Sequence, residues 1–200
     1  MSTPAGAPTA WIAGCLDAQS ALDAALAGLT DDEARRPSLL PDWSVGHVLS
    51  HIARNAESVV WRLEGAAIGE RRDQYPGGLE QRSGDIASGA TRSAHELVAD
   101  VARTSAAVAR AVTELPNPAW DAPSRTSRGV IEDSRAVVFS RWREVVVHHR
   151  DLGLGAVPFP EDLLAAWLPN ELARLAERTD PGALLAWVLG RGPAPELGPW

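Results

Sequence analysis

Four stretches of this chain place apolar residues at helical spacing and none shows sustained strand alternation, so the pattern predicts an all-α fold. The first stretch runs from Trp11 to Leu29, with Ile12, Leu16, Leu22, Leu26 and Leu29 facing a core, and ends at a Thr30-Asp31-Asp32 break. Past Pro37 and Pro41, either Asp42 or Ser44 suits the cap of a second helix, because a short polar side chain satisfies the free N–H groups of a helix start. Its apolar stripe is Val45, Leu49, Ile52, Ala56, Val59 and Leu63. A third, long helix is expected from Asp85 to Leu115, where Pro116 and Pro118 stop it by withholding the next N–H groups. The fourth, the most apolar, spans Ile131 to Leu152 and ends at Gly153 and Gly155. Four stripes of similar length bury one another most simply in an antiparallel four-helix bundle. That bundle is expected to occupy residues 1–157, with residues 158–200 forming a short C-terminal appendage of smaller helical pieces, Glu161 to Glu177 and Pro181 to Leu189.

Charge and cysteine usage narrow the partners. A formal net charge of -7 with all basic residues arginine leaves no basic tract for nucleic acid or for an anionic membrane surface. The expected partner is therefore a small molecule, with no nucleic acid and no membrane involved. Cys15 is the single cysteine, so neither an internal disulfide nor a two-thiolate metal site can form. It lies on an apolar helical stretch with no basic neighbour, which reads as core rather than nucleophile. Met1 to Ala10 lacks the basic and apolar regions of an export signal, and the expected location is the cytoplasm.

Histidine carries the chemistry. Of five histidines, four fall in two tight pairs, His47 with His51 and His148 with His149, while His95 reads as a surface residue. Glu144 and His148 stand four apart on the fourth helix, so they project from one face a turn apart and can share one small ion. A third ligand must come from a facing helix, as in other bundle metal sites. Measured from the centre of the second helix's apolar stripe at about 100° per residue, His51 lies about 120° away and His47 about 160° away, a modest preference for His51. Two imidazoles and a carboxylate suit Zn²⁺ and leave one coordination position open, the arrangement of a catalytic site. Taken alone, the same spacings also suit a surface ion pair with no metal.

Two segments carry a family resemblance. The run Leu40-Pro41-Asp42-Trp43-Ser44-Val45-Gly46-His47-Val48-Leu49-Ser50-His51-Ile52-Ala53-Arg54-Asn55-Ala56 resembles, without gaps, the N-terminal signature of the mycothiol-dependent maleylpyruvate isomerase family, a branch of the DinB-like four-helix bundles. The run Trp142-Arg143-Glu144-Val145-Val146-Val147-His148-His149-Arg150-Asp151-Leu152 is similar to its second signature, and the stretch from Arg82 through Ile86 to Asp100 to the helix between. The resemblance implies a zinc ion on His51, Glu144 and His148, with mycothiol as thiol cosubstrate. It also implies arginines that hold the substrate's carboxylates. Arg191, in the tail Leu185-Ala186-Trp187-Val188-Leu189-Gly190-Arg191-Gly192, is the first candidate and Arg82 the second. The segment beyond Pro158 is shorter than the C-terminal domain associated with that isomerase.

The resemblance therefore implies a zinc-dependent enzyme that activates a low-molecular-weight thiol for attack on a small-molecule carboxylate or electrophile. In the isomerase version the thiol adds reversibly and a cis double bond becomes trans. The alternatives are a mycothiol S-transferase, which keeps the thiol on its product, and a non-catalytic metal-binding module. The sequence leaves the oligomeric state open.

Overall fold

The structure, a computed structural model, describes residues 6–198. It falls into two compact units, Met1–Pro158 and Phe159–Trp200.

The first unit is built on α1 (Thr9–Ala25), α2 (Asp31–Arg35), α3 (Val45–Ala67), α4 (Gly78–Gly89), α5 (Ala94–Glu114) and α6 (Ser134–Asp151). Four of these, α1, α3, α5 and α6, make the bundle, with α3 packed on α5 and α6 and α1 packed on α6 and α5. Arg141 of α6 meets Ile52 and Asn55 of α3, whereas Glu132, just ahead of α6, meets Arg62, so these two helices run in opposite directions. Arg54 pairs with Asp100 and Glu57 with Arg103, so α3 and α5 run the same way. Trp11 of α1 packs on Phe139 and Gly14 against Trp142, so α1 runs with α6, two helices point each way, and α4 is the return that makes a parallel α3–α5 pair possible. The core between them gathers Leu22, Leu26, Val48, Leu49, Ile52, Leu97, Val101, Val145 and Leu152, all fully enclosed. Each such side chain contributes roughly 1.5–3 kcal/mol on leaving water.

Local chemistry explains where the helices differ from the hydrophobic pattern. The break expected at Thr30 is a helix start: the Thr30 hydroxyl accepts from the Glu33 N–H while the Glu33 carboxylate accepts from the Thr30 N–H, and α2 follows. The long third helix is two helices. Gly89 passes so close to α3 that a β-carbon there would stand 2.7 Å from the Ser50 hydroxyl, and Ser93 restarts the chain as α5 through a capping box with Glu96. The first residues of the expected fourth helix, Ile131–Asp133, form β2, paired antiparallel with β1 (Pro123–Arg125) in a two-stranded hairpin. Asp133 then caps α6 by accepting from the Ala136 N–H. Between α5 and β1 lies a 3₁₀ turn, Asn117–Asp121, whose Trp120 is buried.

The second unit holds α7 (Glu161–Ala173), a 3₁₀ turn at Leu175–Glu177 and α8 (Pro181–Val188). No helix among the described residues is long and apolar enough to cross a membrane.

Candidate metal centre

The N-terminal turn of α3 decides which of its two histidines is free to act. Asp42 has a φ of 63° and belongs to the preceding turn, so Ser44 becomes the cap. His47 then occupies the third helical position and its Nδ1 accepts from the Ser44 N–H at 3.2 Å, the role a glutamate usually fills in a capping box. That contact commits His47 to the helix end. His51, one turn further, is 5% exposed and points across the bundle towards α6.

There it meets the pair that α6 provides. His51 Nε2 lies 3.0 Å from Glu144 Oε2 and 2.9 Å from His148 Nε2. Glu144 Oε2 and His148 Nε2 are 3.4 Å apart. Metal bonds of about 2.0–2.1 Å place neighbouring ligand atoms about 3.3 Å apart at tetrahedral angles, so the three atoms stand as they would around one zinc-sized ion. The donor set fits as well: two borderline-soft nitrogens and a hard oxygen, with the remaining direction free of a fourth His, Cys, Asp or Glu among the described residues.

Neighbouring groups fix the orientation of the rings. His148 Nδ1 donates to Asp151 Oδ2 at 2.8 Å, which turns His148 Nε2 inward and holds the ring. Trp43 packs edge-on against His51 with ring centroids 5.7 Å apart. On the far side of His51, the Arg82 guanidinium donates to Nδ1 at 2.8 Å, so Arg82 of α4 stands directly beside the triad. Asp151 was not singled out from the sequence. Its signal, an acid three residues after a ligand histidine on the same helix, was present in the second signature.

Without an ion the site shares protons instead. Burial works against charge at His148, but the Asp151 and Glu144 carboxylates outweigh it and lift its pKa from 6.5 to about 9. Burial likewise opposes the Glu144 carboxylate, yet hydrogen bonds from His148 and His51 hold it well below the usual carboxylate range. His51 goes the other way: burial pushes its pKa down, and the Glu144 contact only partly compensates. The arrangement is a carboxylate and a charged imidazole around a neutral one, with a proton where a cation would serve all three.

Of the other residues singled out, Cys15 is buried, and burial pushes its thiol up to about 11, as suits a core position. His95 is exposed on α5. His149 is not one of the residues whose ligand atoms come together, and burial lowers its pKa. Arg191 belongs to the second unit, where it is exposed, and its guanidinium reaches the Leu189 carbonyl at 3.4 Å. The structure thus brings His51, Glu144, His148 and Arg82 together within the first unit, and Arg191 is described in the second unit alone.

Known proteins resemble this architecture. The profile of a family described as the mycothiol maleylpyruvate isomerase N-terminal domain matches residues 15–153, which takes in all of α3 and α6. A crystal structure of a histidine-to-alanine mutant of mycothiol-dependent maleylpyruvate isomerase is 26% identical, with a TM-score of 0.74 over 78% of this chain and 66% of that one. A crystal structure of mycothiol-dependent maleylpyruvate isomerase shares the fold at a TM-score of 0.80, with 21% identity and 96% of each chain covered. No curated protein matches.

Proposed function

The chain belongs to the mycothiol maleylpyruvate isomerase family, a family of enzymes, and on that premise we propose that it is a zinc-dependent isomerase using mycothiol. One observation carries the reading: an imidazole from α3 and an imidazole–carboxylate pair from α6 present their ligand atoms to one another at 2.9–3.4 Å.

His51, Glu144 and His148 would hold the zinc, and the ion, when bound, supplies an open position at which a thiol loses its proton near neutral pH. Asp151 keeps the His148 ring in the tautomer that offers Nε2 inward. Arg82 is the proposed carboxylate holder on the bundle, because a guanidinium grips a carboxylate with two parallel hydrogen bonds and already stands at the edge of the triad. The thiolate sulfur adds to one carbon of a cis alkene conjugated to a carbonyl, and the electron pair of the double bond moves onto the carbonyl side. Rotation about the resulting single bond and expulsion of the sulfur then give the trans alkene. The thiol returns unchanged and no redox partner is needed.

Metal analysis of the purified protein and of His51→Ala, Glu144→Ala and His148→Ala tests the ligand set. Near-stoichiometric zinc is expected in the first and a sharp loss in each variant, and full retention in all three defeats the assignment. Following free thiol during turnover separates the two enzymatic readings. A constant thiol concentration marks isomerisation, whereas loss of one thiol per substrate marks a transferase.

A further inference from the structure

The bundle unit holds a recess that the metal centre does not use. It has a volume of about 230 Å³ and lies between the middle of α3, the loop following it and α4. Its walls are fixed in advance. The Trp61 indole N–H donates to the Asp73 carbonyl at 3.2 Å, and the Arg72 guanidinium covers the ring at 3.7 Å. The loop itself is tied to the hairpin, since Arg125 grips the Asp73 carboxylate through two contacts of 2.8 and 2.6 Å. At Gly77 a β-carbon would fall 1.5 Å from Gln81 Oε1, so the amide of Gln81 rests against bare loop backbone.

The chemistry of the recess is neutral and polar beside aromatic faces. Of its two arginines, Arg54 is already held by Asp100 at 2.7 Å and Glu57 at 3.1 Å, and Arg82 stands at the end beside the triad with its guanidinium on His51 Nδ1, while the acids Glu57 and Asp85 also line the walls. A dicarboxylate needs a cation for each carboxylate, and this recess offers Arg82 alone, at the end beside the triad. Hydroxyls that donate and accept around a ring whose C–H face lies on Trp61 or Tyr75 meet what the walls offer. The volume is below the roughly 300–1,000 Å³ of sites that enclose a drug-sized molecule, so it suits one ring.

Its position relative to the triad follows from helix geometry. Arg54, Ser58 and Trp61 lie three, seven and ten residues beyond His51 on one side of α3, hence about 5, 10 and 15 Å along its axis. Arg82 belongs to both places, lining the recess while its guanidinium contacts His51 Nδ1.

We propose that this recess binds one ring of the polyhydroxylated body of the thiol cosubstrate, the amino-sugar and inositol part of mycothiol, with the sulfur end directed to His51, Glu144 and His148. The assignment rests on the reading of the chain as a mycothiol user. The test is calorimetric titration of the full-length protein with glucosaminyl-inositol, which lacks the cysteine, with zinc present and after chelation. Saturable binding of similar strength in both states is expected. Trp61→Leu and Gln81→Ala should each weaken it at least tenfold with zinc content unchanged, and Gln81, being exposed, can be replaced without disturbing the core. Absence of saturable binding, or binding that neither variant weakens, overturns the proposal. If such a failure accompanies thiol-dependent turnover, the function stands and only the recess assignment falls. If the polyol binds but no thiol is ever used, the assignment of the recess to a polyol stands and the isomerase reading falls.

Discussion

At the scale of single residues, the most informative side chain is one that cannot touch the ion. Asp151 accepts from His148 Nδ1, and through that one contact it selects the tautomer, aims the ring and adds to the negative potential around the site. Replacing Asp151 by Asn keeps the shape and an accepting oxygen but removes the charge. Outer partners of this kind are typically worth about 10–100-fold in metal affinity. Asp151→Asn is therefore expected to weaken zinc binding by that factor in a competitive chelator titration while the helical circular dichroism stays unchanged. Unaltered affinity would mean that His148 is oriented by helix packing alone.

At the scale of elements, the site exists only if α3 and α6 hold their register, and Arg141 is the device that sets it. Three residues before Glu144 and 1% exposed, it donates to the Ile52 carbonyl at 2.8 Å, to Asn55 Oδ1 at 2.9 Å and to Gln19 Oε1 at 3.2 Å, joining α6 to α3 and α1. Ile52 is the residue next to His51, so the clamp acts within one residue of a ligand. Two opposing terms decide what Arg141→Met would do. Orphaning the buried acceptors costs about 1–3 kcal/mol each, while removing a buried cation that has no carboxylate partner among the described residues recovers much of that. Urea denaturation of the metal-free variant should thus show a stability change of no more than about 1–2 kcal/mol, alongside a fall in zinc affinity of tenfold or more. A large stability loss with unchanged affinity would make Arg141 a core residue only. This clamp was hidden from the sequence because a buried arginine looks like any solvated one until its neighbours are known. Other features were legible to different degrees. The stripe from Val45 to Leu63 and the Glu144–His148 spacing are periodic signals that survive without tertiary context. The break before α5 was written in the chain as Ser93-x-x-Glu96, but the apolar period continues across it and masks the cap. Three-residue strands such as β1 and β2 are too short to show alternation. His51 was favoured over His47 only modestly by angle, because what removes His47 is its hydrogen bond to the Ser44 backbone.

At the scale of the whole molecule, the metal-free site couples its protons to folding. His148 has its pKa raised from 6.5 to about 9, so its contribution to stability is fully present below its unfolded value and disappears as pH rises through about 9. His51 and Glu144 are both lowered, so each penalises the folded state as pH falls, His51 below its ordinary 6.5 and Glu144 below its ordinary 4.5. The chelated protein should therefore be most stable near neutral pH and lose stability towards pH 9. A bound cation reverses the upper limb, because it requires the very nitrogen that the His148 proton occupies, and raising the pH removes that competitor. Thermal unfolding from pH 6 to 9.5, with excess zinc and with chelator, is expected to show a gap that widens across the interval in which His148 titrates. A chelated protein that grew more stable towards pH 9, or a zinc increment that shrank there, would mean that His148 is neutral in the folded state and that no proton stands in for the ion.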